Sequence, residues 1–432
     1  MKTYSTLQVL VALCLFLAFV ACGSGGDDDG NSSVGADDDD DDNNDDDNDD
    51  DDNNDNNDDN DDNDNDDNDN DDDDTAPVPS YPILNVDAAD GTEFKLVNRW
   101  VPGSTGDLWA NAWGPDDRLY TANGDGFGFG RVFGEVVLNV VEGEPPNLEG
   151  QAIPGAYGAY VAAKWGPEHW KYSRKPTGLV CVDGNLYMFY QNLANFLTEE
   201  PFGDAPHGSI SVTPDLGETW YVDRSQPMFT DHVFTTGFFL DYGKCQQHAV
   251  DEYTYVYGLD YNWRFAEDFD QTKLFLARVP SDSILNREDW EFVAGFDGDA
   301  PIWSADIEDK VPVIEDDTLY THDYSGIGQG SVIFLPELNR YLYSTRAVYE
   351  WIFYEAPQPW GPWTKITVQS WTGGWTETFH PGYPAIFASR YLDGDSRGGW
   401  LISSLSDSWF DGTYYSMCWR RFDLEVSETP EY

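Results

Sequence analysis

The sequence predicts an all-β globular domain that follows a signal segment and a disordered acidic tether. Three observations support this prediction: an apolar run at the amino terminus, a long Asp and Asn tract after it, and short aromatic and β-branched runs beyond residue 80. Those runs are separated by Gly, Asp, Asn and Pro, and almost no helical periodicity accompanies them. We therefore divide the chain into a signal peptide (residues 1–21), a tether (22–80) and a β domain (81–432).

The amino-terminal segment has the features of a bacterial lipoprotein signal. Residues 7–21 are apolar apart from Gln8, and the run is shorter than the roughly 20 residues that span a bilayer. The run leads into Cys22 in the sequence FVACG, which resembles a lipobox with Phe19 where that pattern prefers Leu. We expect Cys22 to be lipidated and to anchor the chain to the cell envelope, in the outer membrane or at the cell surface. The alternative is an ordinary signal peptide with an incidental cysteine.

The tether consists almost entirely of Asp and Asn from residue 27 to residue 74. Such a segment buries no apolar surface that would offset the entropy of ordering, and its like charges repel one another. We expect a disordered spacer that reaches at most ~160 Å. A weak calcium-binding tract is the alternative, but the Gly and terminal Glu of an EF-hand loop are absent.

The charge of the β domain limits its partners. From residue 81 onward the chain holds 52 acidic and 22 basic residues, a net charge of about −30. Such a domain repels nucleic acid phosphates and anionic lipid, so a neutral or cationic ligand suits it better. We expect no nucleic acid partner, contact with the membrane only through the lipid anchor, and a monomer.

Cysteine is sparse in the β domain. Cys181, Cys245 and Cys418 allow at most one internal disulfide, so disulfides do not build this fold. Cys181 and Cys418 lie in apolar, strand-like runs and are predicted to be buried thiols.

One weak pattern, polar turn residues followed by a strand with a central aromatic residue, occurs five times. The copies are Asp117–Thr121, Gly184–Met188, Glu252–Val256, Asn339–Tyr343 and Gly398–Ile402. Their spacing of about 60 to 85 residues is too long for a short solenoid repeat and suits four-stranded blades with variable loops. The sequence therefore predicts a five-bladed β-propeller, with a pair of β-sandwiches as the alternative.

Two local motifs support a propeller. Residues 213–220, TPDLGETW, resemble the Asp-box hairpin of many propellers, in which the Asp caps turn amides and the Trp packs between strands. We assign Asp215 a structural role. Residues 357–363, PQPWGPW, are predicted to pack between blades rather than to bind a ligand.

Several segments in order resemble one family. They are GDLW at 106–109, LYTANGDGFGF at 119–129, KPTG at 175–178, VDGNLY at 182–187, LARVP at 276–280 and PWGPW at 359–363. Together they resemble the domain-of-unknown-function 4185 family from about residue 90 onward. The resemblance implies a five-bladed propeller and carbohydrate chemistry, since some members are endo-acting D-arabinan hydrolases of glycoside hydrolase family 183. We expect a surface-displayed, glycoside hydrolase-like propeller that processes an extracellular polysaccharide, arabinan-like by this resemblance.

Candidate catalytic residues are acids that a propeller brings to its axis. Glycoside hydrolysis takes two carboxyl groups that face the scissile bond. Asp107 and Asp125 are the first candidates, and Asp125 lies between two glycines that let a ligand approach the backbone. Both residues also suit ordinary turns. Glu377, in a loop that carries two Trp, ranks third.

Candidate binding residues are aromatic or basic. Trp109, Trp113 and Trp375 offer rings that stack on a sugar. Arg174 and Lys175 offer hydrogen-bond donors to hydroxyl groups or a charge beside a carboxylate. A surface ion pair is the alternative for both, and the family resemblance favours Lys175 facing the pocket.

The remaining polar residues are weaker candidates. Asp251, Glu252 and Asp306 suit turns and strand ends, and the His residues show no metal-ligand spacing. We assign no metal and no cofactor, although His322 and His380 leave open a structural calcium ion on the axis.

Two other function classes stay open: a catalytically silent propeller that binds glycan or protein, and an envelope scaffold. Two carboxyl groups within roughly 10 Å of each other in one cleft would favour the hydrolase.

Overall fold

The computed structural model describes residues 78–88, 95–96, 103–145, 147–194, 204–260, 272–319, 327–347, 350–366, 383–406 and 414–432. The signal peptide, Cys22 and all but the last three residues of the predicted tether lie outside these ranges. Trp375, Glu377, His322 and His380 lie outside them too. In the described ranges the chain forms strands and three-residue 3-10 helices, which confirms the all-β prediction.

The first strands in chain order are β1 (Ile83–Ala88), β2 (Lys95–Leu96), β3 (Thr105–Trp113), β4 (Leu119–Gly128), β5 (Gly134–Glu144), β6 (Asn147–Tyr157), β7 (Tyr172–Val182), β8 (Asn185–Ala194), β9 (His207–Thr213), β10 (Thr236–Asp241) and β11 (Tyr253–Leu259). They are followed by β12 (Lys273–Pro280), β13 (Glu291–Asp297), β14 (Ala300–Ser304), β15 (Pro312–Glu315), β16 (Ser331–Leu335), β17 (Arg340–Ala347), β18 (Glu350–Ala356), β19 (Thr364–Lys365), β20 (Tyr383–Phe387), β21 (Gly398–Ser406) and β22 (Tyr414–Val426). The 3-10 helices are Gly158–Tyr160, His169–Lys171, Lys244–Gln246, Arg287–Asp289, Ile307–Asp309, Asp317–Leu319 and Ser389–Tyr391.

The strands form antiparallel sheets of neighbouring strands. One sheet has the order β3-β4-β5-β6 and another the order β7-β8-β9. A longer sheet runs β14-β13-β12-β11-β10-β16-β17-β18-β19, with β15 paired to β12. Its two antiparallel parts meet at β10 and β16, which pair in parallel through Leu240 with Val332 and Asp241 with Ile333.

The last sheet joins the two ends of the domain. Its order is β20-β21-β22-β1, so the amino-terminal strand β1 pairs with the carboxy-terminal strand β22. Ser80, just before β1, bridges to Glu431. The Glu431 carboxylate also accepts a hydrogen bond from Nη2 of the buried Arg340 at 2.6 Å. The amino-terminal strand of the described domain is therefore held by the carboxy-terminal residues of the chain.

The five copies of the sequence pattern occupy equivalent places. Each copy lies at the start of the strand that follows β3, β7, β10, β16 or β20 and pairs with it. Four copies begin one or two residues before that strand, and the copy at Gly398 begins with the strand itself.

The strands β3, β7, β10, β16 and β20 line one cavity. Its walls are Ala110, Asn111, Thr177, Gly178, Leu179, Phe238, Phe239, Asp241, Gly330, Ser331, Ile386 and Phe387. Each of the five strands contributes to these walls or lies directly beside them. We call this space the axial cavity, and chemistry-bearing residues at its ends are the first candidates for a site.

One disulfide links two of these sheets. Cys181 in β7 is bonded to Cys245, which follows β10, so the prediction that Cys181 is a free thiol was wrong. Cys418 is a free, buried cysteine, as predicted. Spacing alone does not show that residues 64 positions apart meet in space.

Among the helices that the structure describes, none has the length and apolar character to cross a membrane.

Candidate functional site

A bulge at the start of β3 presents Asp107 to the strand beside it. Asp107 pairs with Gly124 and Ala110 with Ala122, so β3 has one more residue than β4 between these pairs. The bulge gives Leu108 and Trp109 positive φ angles of 73° and 49°. Such a backbone is costly outside glycine and recurs at functional sites.

Gly124 makes room for the Asp107 carboxylate. A Cβ atom on residue 124 would lie 2.4 Å from Oδ1 of Asp107 and 3.4 Å from Cδ of Lys175. Any side chain at this position would therefore displace the carboxylate. The glycine-rich sequence predicts that a ligand can approach the backbone closely, but at Gly124 the side chains of Asp107 and Lys175 occupy that space.

Lys175 lies against Gly124, as Asp107 does, and it also binds Asp125. Its ammonium group contacts Oδ2 of Asp125 in an ion pair between β7 and β4. The Lys175 side chain is only 7% exposed, whereas that of Asp125 is 42% exposed. Asp107 is also buried. The structure thus brings Asp107, Asp125 and Lys175 together, with Asp125 facing solvent.

A second ion-pair cluster lies beside the first, and the sequence did not indicate its acid. Arg174 donates from Nη1 to Oε2 of Glu135 at 2.5 Å and from Nε to the carbonyl of Ala162 at 2.9 Å. Lys164 donates to Oε1 of Glu135 at 3.1 Å. Burial alone would raise the pKa of Glu135, but these two cations outweigh it and hold the pKa below its usual range. Arg174 is therefore engaged by Glu135.

Two buried side-chain amides, those of Gln191 and Gln329, lie near Lys175. Gln191 lies opposite Lys175 across β7 and β8, and its Oε1 accepts a hydrogen bond from Thr236. Gln329 donates from Nε2 to the carbonyls of Pro176 and Thr177 at 3.3 and 3.4 Å. Within the described part of the chain, Nε2 of Gln191 and Oε1 of Gln329 are buried without a hydrogen-bond partner. Such groups are rare and are commonly satisfied by a bound water molecule.

Trp109 does not reach this site, contrary to the sequence prediction. Its indole is fully buried, donates from Nε1 to the carbonyl of Gly106, and packs 5.8 Å from the Phe129 ring. Strand alternation would place residues 107 and 109 on one face, but the bulge between them turns the ring into the core. Neither face of the Trp109 ring is therefore accessible for stacking on a sugar.

Trp113 is also displaced from the site. It ends β3, six residues after Asp107, which corresponds to roughly 20 Å along a strand. Its indole donates to Oδ1 of Asp117 at 2.9 Å and lies 5.9 Å from the Lys244 ammonium. The structure therefore does not bring Trp113 together with Asp107.

The weaker acid candidates have turn and cap roles. Asp251 accepts from the amide of Tyr253 and from the hydroxyl of Tyr255, and Asp306 caps the 3-10 helix at Ile307 through the amide of Glu308. Glu252 is exposed.

Residues 213–220 form a turn. Asp215 accepts hydrogen bonds from the amide and hydroxyl of Thr219, and Gly217 has a φ of 105°. Trp360 and Trp363 pack against the apolar cluster that contains Tyr257.

No group of three His, Cys, Asp or Glu side chains in the described ranges could hold a metal ion.

Asp241 lies in the axial cavity at the end away from Lys175, because β10 runs from Thr236, beside Gln191, to Asp241. Burial raises the pKa of Asp241 to about 6, although hydrogen bonds from Ser389 and from the amide of Gly243 oppose the rise. An unfolded Asp titrates near ~3.9, so the folded state holds its proton to higher pH. This group therefore makes the protein lose stability as pH rises from about 4 to about 6, and the loss is complete above that window.

We expect Asp241→Asn to remove this pH dependence. Relative to the parent, the variant should gain about 2–3 kcal/mol in the free energy of unfolding between pH 4 and pH 7, since it stays neutral throughout. Urea unfolding at several pH values measures this difference. Asp306→Asn, at an exposed cap, is the matched control. Equal pH dependence in the parent and Asp241→Asn would contradict the prediction.

The chemistry of the cluster follows from its groups. Two carboxyl groups, one buried and one exposed, meet a buried ammonium group, and two of the three residues precede cavity-lining residues on β3 and β7. Such a set exchanges protons with a bound substrate and stabilises charge that develops beside it. Asp107, Asp125 and Lys175 therefore form the candidate active site.

Known proteins resemble this chain over most of its length. No curated protein matches the chain. Similar solved structures include a putative hydrolase from Bacteroides ovatus, with 15% identity and a TM-score of 0.47 over 76% of this chain and 87% of that one. An α-L-arabinofuranosidase from Lactobacillus brevis has 11% identity and a TM-score of 0.46 over 78% and 96%. The GH43_1 enzyme from Xanthomonas citri, complexed with xylose, has 14% identity and a TM-score of 0.43 over 78% and 93%. Residues 106–417 match the family described as Domain of unknown function (DUF4185), and this chain belongs to that family.

Proposed function

We propose that the domain is a five-bladed β-propeller and a glycoside hydrolase that acts on a neutral extracellular polysaccharide. The observation that carries the proposal is the meeting of Asp107 and Asp125 around Lys175, on strands of which two, β3 and β7, also line the axial cavity. Hydrolysis of a glycosidic bond requires two such carboxyl groups. The resemblance of the sequence to endo-acting D-arabinan hydrolases makes an arabinan-like polymer the first substrate to test.

The two acids are assigned different roles in this proposal. Asp125 is solvent-exposed and contacts the Lys175 ammonium, which supplies the counter-charge of a carboxylate anion. It is assigned the role of base or nucleophile. Asp107 is buried against Gly124 and is assigned the role of proton donor to the leaving oxygen. Lys175 positions Asp125 rather than reacting itself.

We also propose that the protein is a lipoprotein, anchored through Cys22 on the outside of the cell and separated from the lipid by its acidic tether. The disulfide between Cys181 and Cys245 supports an oxidising compartment, since disulfides persist there and are rare in the cytosol. The acidic domain and tether repel anionic lipid, which supports display away from the membrane surface.

Incubation of the purified full-length protein with neutral polysaccharides, arabinans and xylans included, tests the proposed activity. Chromatography of the products should show oligosaccharides from at least one polymer, and heat-denatured protein should release none. The second candidate function is a glycan-binding module, which the burial of Asp107 favours. Retention of a polymer without any release of oligosaccharides would establish that function and overturn the hydrolase.

A further inference from the structure

The loop between β4 and β5 exposes apolar side chains beside the candidate active site. Val132 is 48% exposed and Phe133 is 52% exposed, and both are adjacent in sequence. The ring of Phe133 lies 5.6 Å from that of Phe127, edge to face at an interplanar angle of 77°. Two aromatic rings and a valine thus form a small apolar surface that is open to solvent.

Hydrogen bonds fix the backbone on the Phe127 side of this surface. The amide of Phe127 donates to Oγ1 of Thr105 at 2.8 Å, and its carbonyl accepts from the amide of Gly130 at 2.8 Å. Phe129 is buried in the core, and its amide donates to Oδ1 of Asn139 at 3.0 Å. A rigid aromatic surface loses little entropy when a ligand binds.

The strand β4, which carries Asp125, leads into this loop three residues after Asp125, at the end of β4. Gly126 pairs with Gly134 across β4 and β5, so Phe133 and Asp125 each lie one residue from a paired position. Directly paired residues are about 5 Å apart, which places the two backbones within roughly 10 Å of each other. The apolar surface and the exposed carboxylate therefore lie on neighbouring parts of the same two strands.

We propose that Phe127 and Phe133 form a sugar-stacking subsite that binds one ring of a neutral polysaccharide next to the unit held at Asp125. The apolar C–H face of a sugar ring packs on an aromatic ring, while the hydroxyl groups at its edge stay in water or meet polar neighbours. Arg131, exposed on the same loop, supplies donors for those hydroxyl groups. The location of this subsite rests on the proposed function, but its binding of sugar does not require catalysis.

The charge of the domain favours a neutral ligand here. The β domain carries about −30 net charges, and the neighbouring Asp125 is exposed, so an anionic polymer or anionic lipid would be repelled. A neutral polysaccharide combines apolar ring faces with hydroxyl groups and pays no such penalty.

Affinity electrophoresis of the full-length protein in gels that contain arabinan or xylan tests the subsite. Asp107→Asn serves as the background, so that binding is measured without hydrolysis. On this background Phe133→Ala should bind the retarding polymer roughly tenfold more weakly, the effect of removing an aromatic anchor. Phe133→Trp should retain the binding. Phe296→Ala is the matched control, because Phe296 is 43% exposed and lies on β13, near the outer edge of its sheet.

The outcomes separate the subsite from the hydrolase. Weaker binding by Phe133→Ala, with retention by Phe133→Trp and Phe296→Ala, supports the subsite even if the parent releases no oligosaccharide. Equal retardation of Phe133→Ala and its background overturns the subsite, whatever the hydrolysis assay gives. Absence of retardation by every polymer in the panel overturns it as well.

Discussion

Replacement of Asp107 or Asp125 by Asn is expected to lower the rate of polysaccharide hydrolysis by roughly 10²–10⁴-fold, the usual contribution of a positioned acid or base. Each change removes one proton-transfer group and keeps the size of the side chain. Asp107 has almost no room to move, since its carboxylate lies against Gly124. Because the two acids act in one reaction, the double variant should be little slower than the slower single variant.

Oligosaccharide release by the four proteins at saturating polymer measures this effect. Asp306→Asn is the control, because Asp306 caps a short helix with its side-chain oxygen and Asn caps equally well. Thermal unfolding should show that all variants remain folded. Full activity in both single variants would keep the hydrolase and refute the assignment of its site.

The proximity of Asp107 and Asp125 could be predicted from the sequence because the repeat could be recognised in it. Each copy of the repeated pattern marks the start of the strand that pairs with a strand lining the axial cavity. Asp107 lies on β3 and Asp125 on β4, the two strands joined by the turn in which the first copy begins. A hairpin is a local structure, and local patterns encode it well.

The partners of these acids could not be predicted in the same way. Lys175 contacts Asp125 from another sheet, 50 residues away, and the packing of two sheets selects this contact. Glu135, which binds Arg174, carried no sequence signal for a similar reason. The prediction for Trp109 failed because the bulge at Leu108 and Trp109 breaks strand alternation. Neither of these two residues is a glycine, so the sequence carried no signal of their positive φ angles.

Loss of the disulfide between Cys181 and Cys245 is expected to destabilise the protein by about 4 kcal/mol, since it closes a loop with a sequence separation of 64 residues. The bond ties the end of β7 to the segment that follows β10. The strand β10 itself begins at the buried Thr236, which donates a hydrogen bond to Gln191. Because β7 also carries Lys175, this tie fixes the strand that supports the candidate site. Urea unfolding of the double variant Cys181→Ser/Cys245→Ser measures the loss.

Reduction provides the control for this variant. Dithiothreitol should bring the stability of the parent towards that of the double variant and leave the double variant unchanged, because Cys418 is a free thiol in both proteins. If reductant shifted both proteins equally, the effect would not come from this bond. If it shifted neither and the two proteins were equally stable, the disulfide would contribute nothing to the fold. A large loss would mean that the domain depends on an oxidising compartment for its stability, as the proposed location outside the cell requires.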